Sequence, residues 1–220
     1  MTIKVEYIDH MGDDLRVVNA ARVSFDKESE LIDGHMLSGK DGKLLNYLAK
    51  HGHFTPFTHP MITLRETVPI FVARQRFKHV VGFTYNEVSR RYVDDEPEFF
   101  TPDVWRTRPE GSVKQGSGAP IDEGALVWTC PTDEYRGAIS RCKEAYQEML
   151  ACGVAPEQAR MVLPQSMMTS YYVTGSLAAF ARAYKLREDG HAQKEIQDLA
   201  HQWDKIIRPL FPHSWEALTQ

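Results

Sequence analysis

The sequence predicts an α/β fold of the α+β type, and three observations carry that reading. Runs with strand-like alternation or β-branched and aromatic content stand at Ile3–Ile8, Ile62–Val68 and Met167–Thr174. Apolar residues return at helical spacing over Thr132–Leu150, Ser176–Arg187 and Gln193–Leu210. No GxGxxG follows any of the strand-like runs, which argues against a Rossmann sheet.

In chain order, Ile3-Lys4-Val5-Glu6-Tyr7-Ile8 alternates apolar with polar and reads as an opening strand. Asp13 or Asp14 then caps a helix carrying Leu15, Val17, Val18, Ala20 and Ala21. Asp26–Lys43 is polar and glycine-containing and reads as a surface loop, with a helix over Leu44–Lys50. Ile62, Leu64 and Val68 mark a strand that runs into a helix opened by Pro69, whose missing N–H a first turn leaves unpaired anyway. Continued, that helix puts Arg74 with Lys78 and Gln75 with His79, each pair four residues apart. Gly82 breaks the pattern, so Phe83–Ser89 is expected to turn over the helix's C-terminal end.

Residues 94–131 mix proline, glycine and charge and read as an exposed excursion, a variable loop or a lid, with room for a short hairpin. Thr132 is the expected N-cap of a long helix with Tyr135, Ala138, Ile139, Cys142, Tyr146, Met149 and Leu150 on one stripe. Gly153 stops it, and Pro156 opens a short helix ending before Pro164. Ser176 begins a helix that ends near Arg187. His191-Ala192-Gln193 opens the last one, with Ile196, Leu199, Ala200, Trp203, Ile206, Ile207 and Leu210 on one face.

A chain of 220 residues can bury one sizeable core, and 1–220 is expected to be a single domain. Its net charge of −4 argues against a general nucleic-acid binder. Cys130, Cys142 and Cys152 show no CxxC spacing, so neither a disulfide framework nor a cysteine zinc site leads. MTIKVEYIDH has no apolar leader, and no apolar run reaches about 18 residues. A cytoplasmic protein without membrane attachment is the expectation.

Within this acidic chain, Arg74–Tyr92 gathers Arg74, Arg76, Lys78, Arg90 and Arg91 around Gln75, His79, Asn86, Glu87 and Ser89. Such a set suits a small phosphorylated ligand, and it equally suits a solvated basic helix face or a nucleic-acid patch. Upstream, His51-Gly52-His53-Phe54-Thr55-Pro56-Phe57-Thr58-His59-Pro60 holds three histidines and no acid. Metal sites usually need a carboxylate or thiolate as well, so no metal is expected there.

The order Arg-Gln-x-Phe-Lys-His, then Asn-Glu-x-Ser-x-Arg-Tyr, resembles the signature of the flavin-dependent thymidylate synthases, the ThyX family. That pattern is Arg-His-Arg, seven or eight residues, then Ser; here the triplet is Lys78-His79-Val80 and the serine is Ser89. The histidine loop is similar to the family's His-Gly-His-x-Thr-Pro-Phe-Glu-His, with Thr58 in place of the glutamate. Ala21–Phe25, Ala159–Pro164, Leu186-Arg187 and His191–Ile196 extend the likeness in the same order along the chain.

The resemblance implies reductive methylation of dUMP to dTMP. It implies FAD as hydride carrier, NADPH as reductant and 5,10-methylenetetrahydrofolate as carbon donor, with no enzyme nucleophile. It also implies long helices packed with an antiparallel sheet, and a homotetramer whose active sites draw on several chains. Carried over by position, Gln75, Lys78, Glu87, Val88, Ser89, Arg90, Arg91, Arg160 and Arg187 line the dUMP site. Arg187 is the catalytic cation facing the pyrimidine; its plainer role is a helix C-terminal charge. His53, Thr55, Lys78, His79, Val80, Glu87, Ser176, Ala178 and Arg182 fall at flavin-contacting positions. Val80 supplies no guanidinium, which Arg76, Arg90 or Arg182 would have to replace.

Overall fold

In the computed structural model, residues 2–93, 95–109, 116–125 and 129–220 are described. Parts of the expected excursion, namely Asp94, 110–115 and 126–128, lie outside them. Among the described residues, β1 (Lys4–Met11), β2 (Met61–Pro69), β3 (Phe83–Glu87) and β4 (Met168–Ser176) make one antiparallel sheet in the order β1-β2-β4-β3. The register of β1 on β2 slips between Tyr7 and Asp9, leaving a bulge at that edge.

Period-two alternation sorts the sheet into two faces. On β2, Ile62, Leu64, Glu66 and Val68 are buried; on β4, Tyr171, Val173 and Gly175 join them. The opposite face is polar: Thr63 and Thr174 hydroxyls meet at 2.9 Å, and Arg65 Nε donates to Ser170 Oγ at 3.0 Å. The apolar face is covered by α1 (Asp14–Arg22), α2 (Gly39–Lys50), α3 (Ile70–Arg76), α6 (Leu177–Arg187), α7 (Lys194–Leu210) and α8 (Pro212–Thr219), which share one core with it. In α7 the residues at helical spacing, Ile196, Leu199, Ala200, Trp203 and Ile207, are all buried. Two further helices, α4 (Pro131–Ala151) and α5 (Pro156–Ala159), stand outside that core, and of the α4 stripe only Tyr146 is buried.

Several local expectations are corrected. The helix after Pro69 ends at Arg76, because the Phe77 N–H caps onto Ala73 O while its ring packs on Tyr85 and Tyr171. Lys78 and His79 therefore lie beyond the helix and do not continue its faces. Phe83–Glu87 is a strand rather than a turn, its backbone paired to β4 from Gly175 to Tyr171. The second helix begins at Gly39, not Leu44: Ser38 Oγ accepts from the Asp41 N–H and donates to Asp41 Oδ2 at 2.7 Å, a local cap within the expected loop. Thr132 is not the N-cap of α4, since Pro131 occupies its first turn; Glu123 caps it instead, accepting from the Thr132 N–H and hydroxyl at 2.9 Å. The C-terminal α8 was not expected. Asp14 holds its start, accepting from His213 N at 2.8 Å and Ser214 N at 2.9 Å.

Candidate active site

Beneath the site lies an ion pair with no solvent contact. Glu66 points inward from β2 and accepts from Arg76 Nε (3.1 Å), Tyr171 OH (2.6 Å) and Trp203 Nε1 (2.9 Å). The Arg76 guanidinium lies over the rings of Phe83 (4.3 Å) and Trp203 (4.6 Å), and its Nη1 donates to Tyr85 OH at 2.6 Å. The charges are tolerated there only because they face each other and polar donors saturate the carboxylate. Desolvation opposes the Arg76 charge, but Glu66, Tyr85 and Tyr171 together offset it and hold the pKa above its ordinary value. Arg76 is thus a core residue and cannot replace the guanidinium missing at Val80.

From the end of α3, residues 79–82 run alongside α6. Gly82, at φ +79°, makes this approach feasible: a Cβ there would stand 2.9 Å from Ala179 Cβ. Its carbonyl accepts from the Ser176 N–H at 3.2 Å. Arg182 Nη2 donates to Val81 O at 2.5 Å, and Arg187 Nε donates to His79 Nε2 at 2.9 Å. His79 is buried, and desolvation, with Arg187, Arg76 and Arg182 nearby, pushes its pKa down to about 4. Arg187, half-buried, has its pKa lowered by desolvation and by Arg76.

Of the expected nucleotide residues, Glu87, Val88, Ser89, Arg90 and Arg160 meet at a cleft of about 1320 Å³ on the polar face of the sheet. Arg65 and Arg74 add to its charge. Glu87 accepts from Thr169 Oγ1 at 2.6 Å, and Ser89 Oγ accepts from the Arg91 N–H at 3.3 Å. Arg91 points to Glu157 (3.4 Å) and is not among the lining residues. Gln75 instead donates to Gln193, at the start of α7, and Lys78 is exposed. Neither they nor Arg187 line this cleft.

The expected flavin positions divide similarly. Ala178 and Arg182 line a second cleft of about 940 Å³ between α2, α6 and α8, together with Lys50, Phe54 and Lys185. His53 and Thr55 are exposed beside it, and Val80 is exposed with its valine side chain. Ser176 is 5% exposed and caps α6, accepting from the Ala179 N–H at 3.2 Å, so its hydroxyl serves the helix. Lys50, Phe54 and Lys185 at the second cleft, and Gln193 beside Gln75, are not among the expected site residues, although Phe54 stands in the histidine loop and Gln193 in the His-Ala-Gln string. The three cysteines lie at or beside α4, away from both clefts' linings. Among the described residues no three His, Cys, Asp or Glu side chains gather as a metal site, and no helix is long and apolar enough to cross a membrane.

Residues 6–213 match the family described as thymidylate synthase complementing protein. The chain is 38% identical to the flavin-dependent thymidylate synthase of Thermosipho africanus (strain TCF52B) over 210 residues, 96% of this chain and 88% of that one. With that of Thermus thermophilus it shares 34% over 216 residues, 98% and 75% of the two. Among solved structures it resembles PolB, a UMP/dUMP methylase from Streptomyces cacaoi bound with 5-Br dUMP. The TM-score is 0.83 and the identity 32%, over 99% of this chain and 94% of PolB. By sequence along nearly its whole length and by fold, the chain belongs to the family of flavin-dependent thymidylate synthases.

Proposed function

We propose that this protein converts dUMP to dTMP, taking the carbon from 5,10-methylenetetrahydrofolate and reducing equivalents from NADPH through FAD. The single observation that carries the reading is the pairing of Arg187 with His79 at the turn where the family signature falls, on a chain matching the family from residue 6 to 213. In balance, dUMP, the methylene folate, NADPH and a proton give dTMP, tetrahydrofolate and NADP⁺.

Ser89, Arg90 and Arg160 suit the 5′-phosphate, since guanidinium and hydroxyl donors match its oxygens. Arg91 joins them by turning away from Glu157, an exposed pair that costs little to break. Gln75, Lys78, Glu87 and Val88 complete the nucleotide side. Arg187 faces the pyrimidine and stabilises the negative charge that develops on the ring as its nitrogen gives up a proton. Half-buried, it meets that charge in a medium of reduced dielectric, where the attraction is stronger than in water. The ring's own carbon then attacks the methylene carbon; none of the three cysteines lines either cleft, which is consistent with a route without a thiol nucleophile.

The residues present fit FAD. Lys50, Arg182 and Lys185 offer three cations to its phosphates and Phe54 an aromatic face, with His53, Thr55 and Ala178 alongside. When bound, FAD supplies the hydride that completes the methyl group. Of the arginines that could offset Val80, Arg182 is the one beside the turn, through Val81 O. The nucleotide residues divide between the large cleft and the Arg187 edge, which supports sites completed between chains of a homotetramer, each chain working as one domain.

The test is an anaerobic spectrum of the protein with FAD, excess removed, followed by dTMP assay. Retained flavin bleached by NADPH and dTMP formed only with the folate are the expected results; the absence of both flavin retention and product would defeat the reading. The likeness to PolB favours UMP as a second substrate, and comparing kcat/KM for UMP and dUMP decides it.

A further inference from the structure

We propose that His79 is the positioning residue for Arg187: its Nε2 accepts the Arg187 Nε–H and fixes the guanidinium so that its two terminal nitrogens stay available to the pyrimidine. This rests on Arg187 being the catalytic cation.

The direction of the bond follows from inventory. An arginine Nε is always a donor, so at 2.9 Å the imidazole nitrogen opposite must carry a lone pair, and the ring's proton sits on Nδ1. A doubly protonated His79 would set N–H against N–H and cation against cation. The surroundings hold the ring neutral. The charges acting on it are Arg187 and Arg182 from α6 and Arg76 from α3, with no carboxylate among them. Burial and these cations keep its pKa near 4, well below working pH.

The backbone that carries the ring is also held. His79 N donates to Arg76 O at 3.1 Å, and its carbonyl accepts from Tyr85 OH at 2.7 Å. Tyr85 is in turn fixed by Arg76 Nη1, so the buried ion pair braces the acceptor. On the other side, the terminal nitrogens of Arg187 have no protein partner among the described residues, while its Nε is engaged by His79. One nitrogen orients the group and two remain for ligand.

The experiment compares wild type, His79→Leu, His79→Gln and Arg187→Leu as FAD-loaded enzymes. Removing the acceptor lowers kcat about 10- to 100-fold, the value of a hydrogen bond to a charged group, with KM for dUMP and flavin retention little changed. His79→Gln, whose amide oxygen can accept, recovers most of that loss. In ¹⁵N spectra, His79 Nε2 remains unprotonated from pH 8 to pH 5. A fully active His79→Leu, a Gln variant no better than Leu, flavin released by both, or an Nε2 that carries a proton at pH 7 overturns the proposal. If Arg187→Leu itself makes dTMP at the wild-type rate, the catalytic reading beneath it falls, and that outcome is separate from the others.

Discussion

Two groups of arginine occupy opposite settings in this molecule. Arg76 is sealed in the core with Glu66 and stacked by aromatic rings, whereas Arg90 and Arg160 stand at an open cleft, where among the described residues each donates to a backbone carbonyl and neither forms a salt bridge. Arg76 and Arg90 belong to one predominantly basic string, with Glu87 its one carboxylate. The difference teaches that a charged run has no single role: the side chain that finds a buried carboxylate holds the fold, and those that find none keep their donors open to solvent or to a ligand.

The sharpest way to break this contrast is Glu66→Ala. It leaves Arg76 uncompensated and orphans the Tyr171 hydroxyl and Trp203 indole N–H, so about 3–5 kcal/mol of stability is expected to go, read by urea unfolding. Adding Arg76→Met recovers only part, because those two donors still lack their acceptor. An unchanged unfolding midpoint for Glu66→Ala would place the pair among weak surface contacts.

Acid tests the turn that links the two settings. The folded pKa of His79, about 4, lies below the free value of 6.5, so the unfolded chain takes up the proton first. Its contribution is complete above pH 6.5 and lost as pH falls toward 4, by about 3 kcal/mol at the lower end. Unfolding curves at several pH values should therefore be steeper in pH for wild type than for His79→Gln.

At the open cleft the expected effect moves from stability to binding. Arg160→Ala should raise KM for dUMP about 10- to 100-fold, the range for losing one charge-assisted hydrogen bond, with thermal midpoint unchanged. A lowered midpoint with unaltered KM would make Arg160 a structural residue like Arg76. The smallest change is Gly82→Ala, where positive φ and the 2.9 Å approach to Ala179 Cβ should cost about 1–2 kcal/mol. It should also lower kcat by moving His79 off Arg187; full activity would show that the turn has slack.

How much of this could be read from sequence depends on how local the cause is. β2, β4 and α7 were evident because alternation or helical spacing is written in consecutive residues. β3 was not: Phe83-Thr84-Tyr85-Asn86-Glu87 follows a glycine turn and becomes a strand only because β4, some 80 residues later, offers it an edge. The premature end of α3 has the same origin, since Phe77 leaves the helix for rings on β3 and β4. The start of α2 has a local signal in Ser38 and Asp41, three residues apart, whose cap sits inside a segment rich in loop-forming residues. For the candidate site, motif strings single out Ser89, Arg160, His79 and Arg187, but the burial of Arg76 depends on a carboxylate from β2, which no basic string reveals. Lys50 and Lys185 carry no signal because only the meeting of α2, α6 and α8 brings them together.

The slip in register between Tyr7 and Asp9 has a consequence outside catalysis. β1 is a sheet edge, and an edge of unpaired backbone is an invitation to another chain's strand. The bulge interrupts the spacing such a strand would need, and the Lys4–Glu6 pair at 2.8 Å sets charge along the same border. The opposite edge, β3, is only five residues long. During synthesis, when many copies crowd together half-folded, both borders are poor templates for fibril growth.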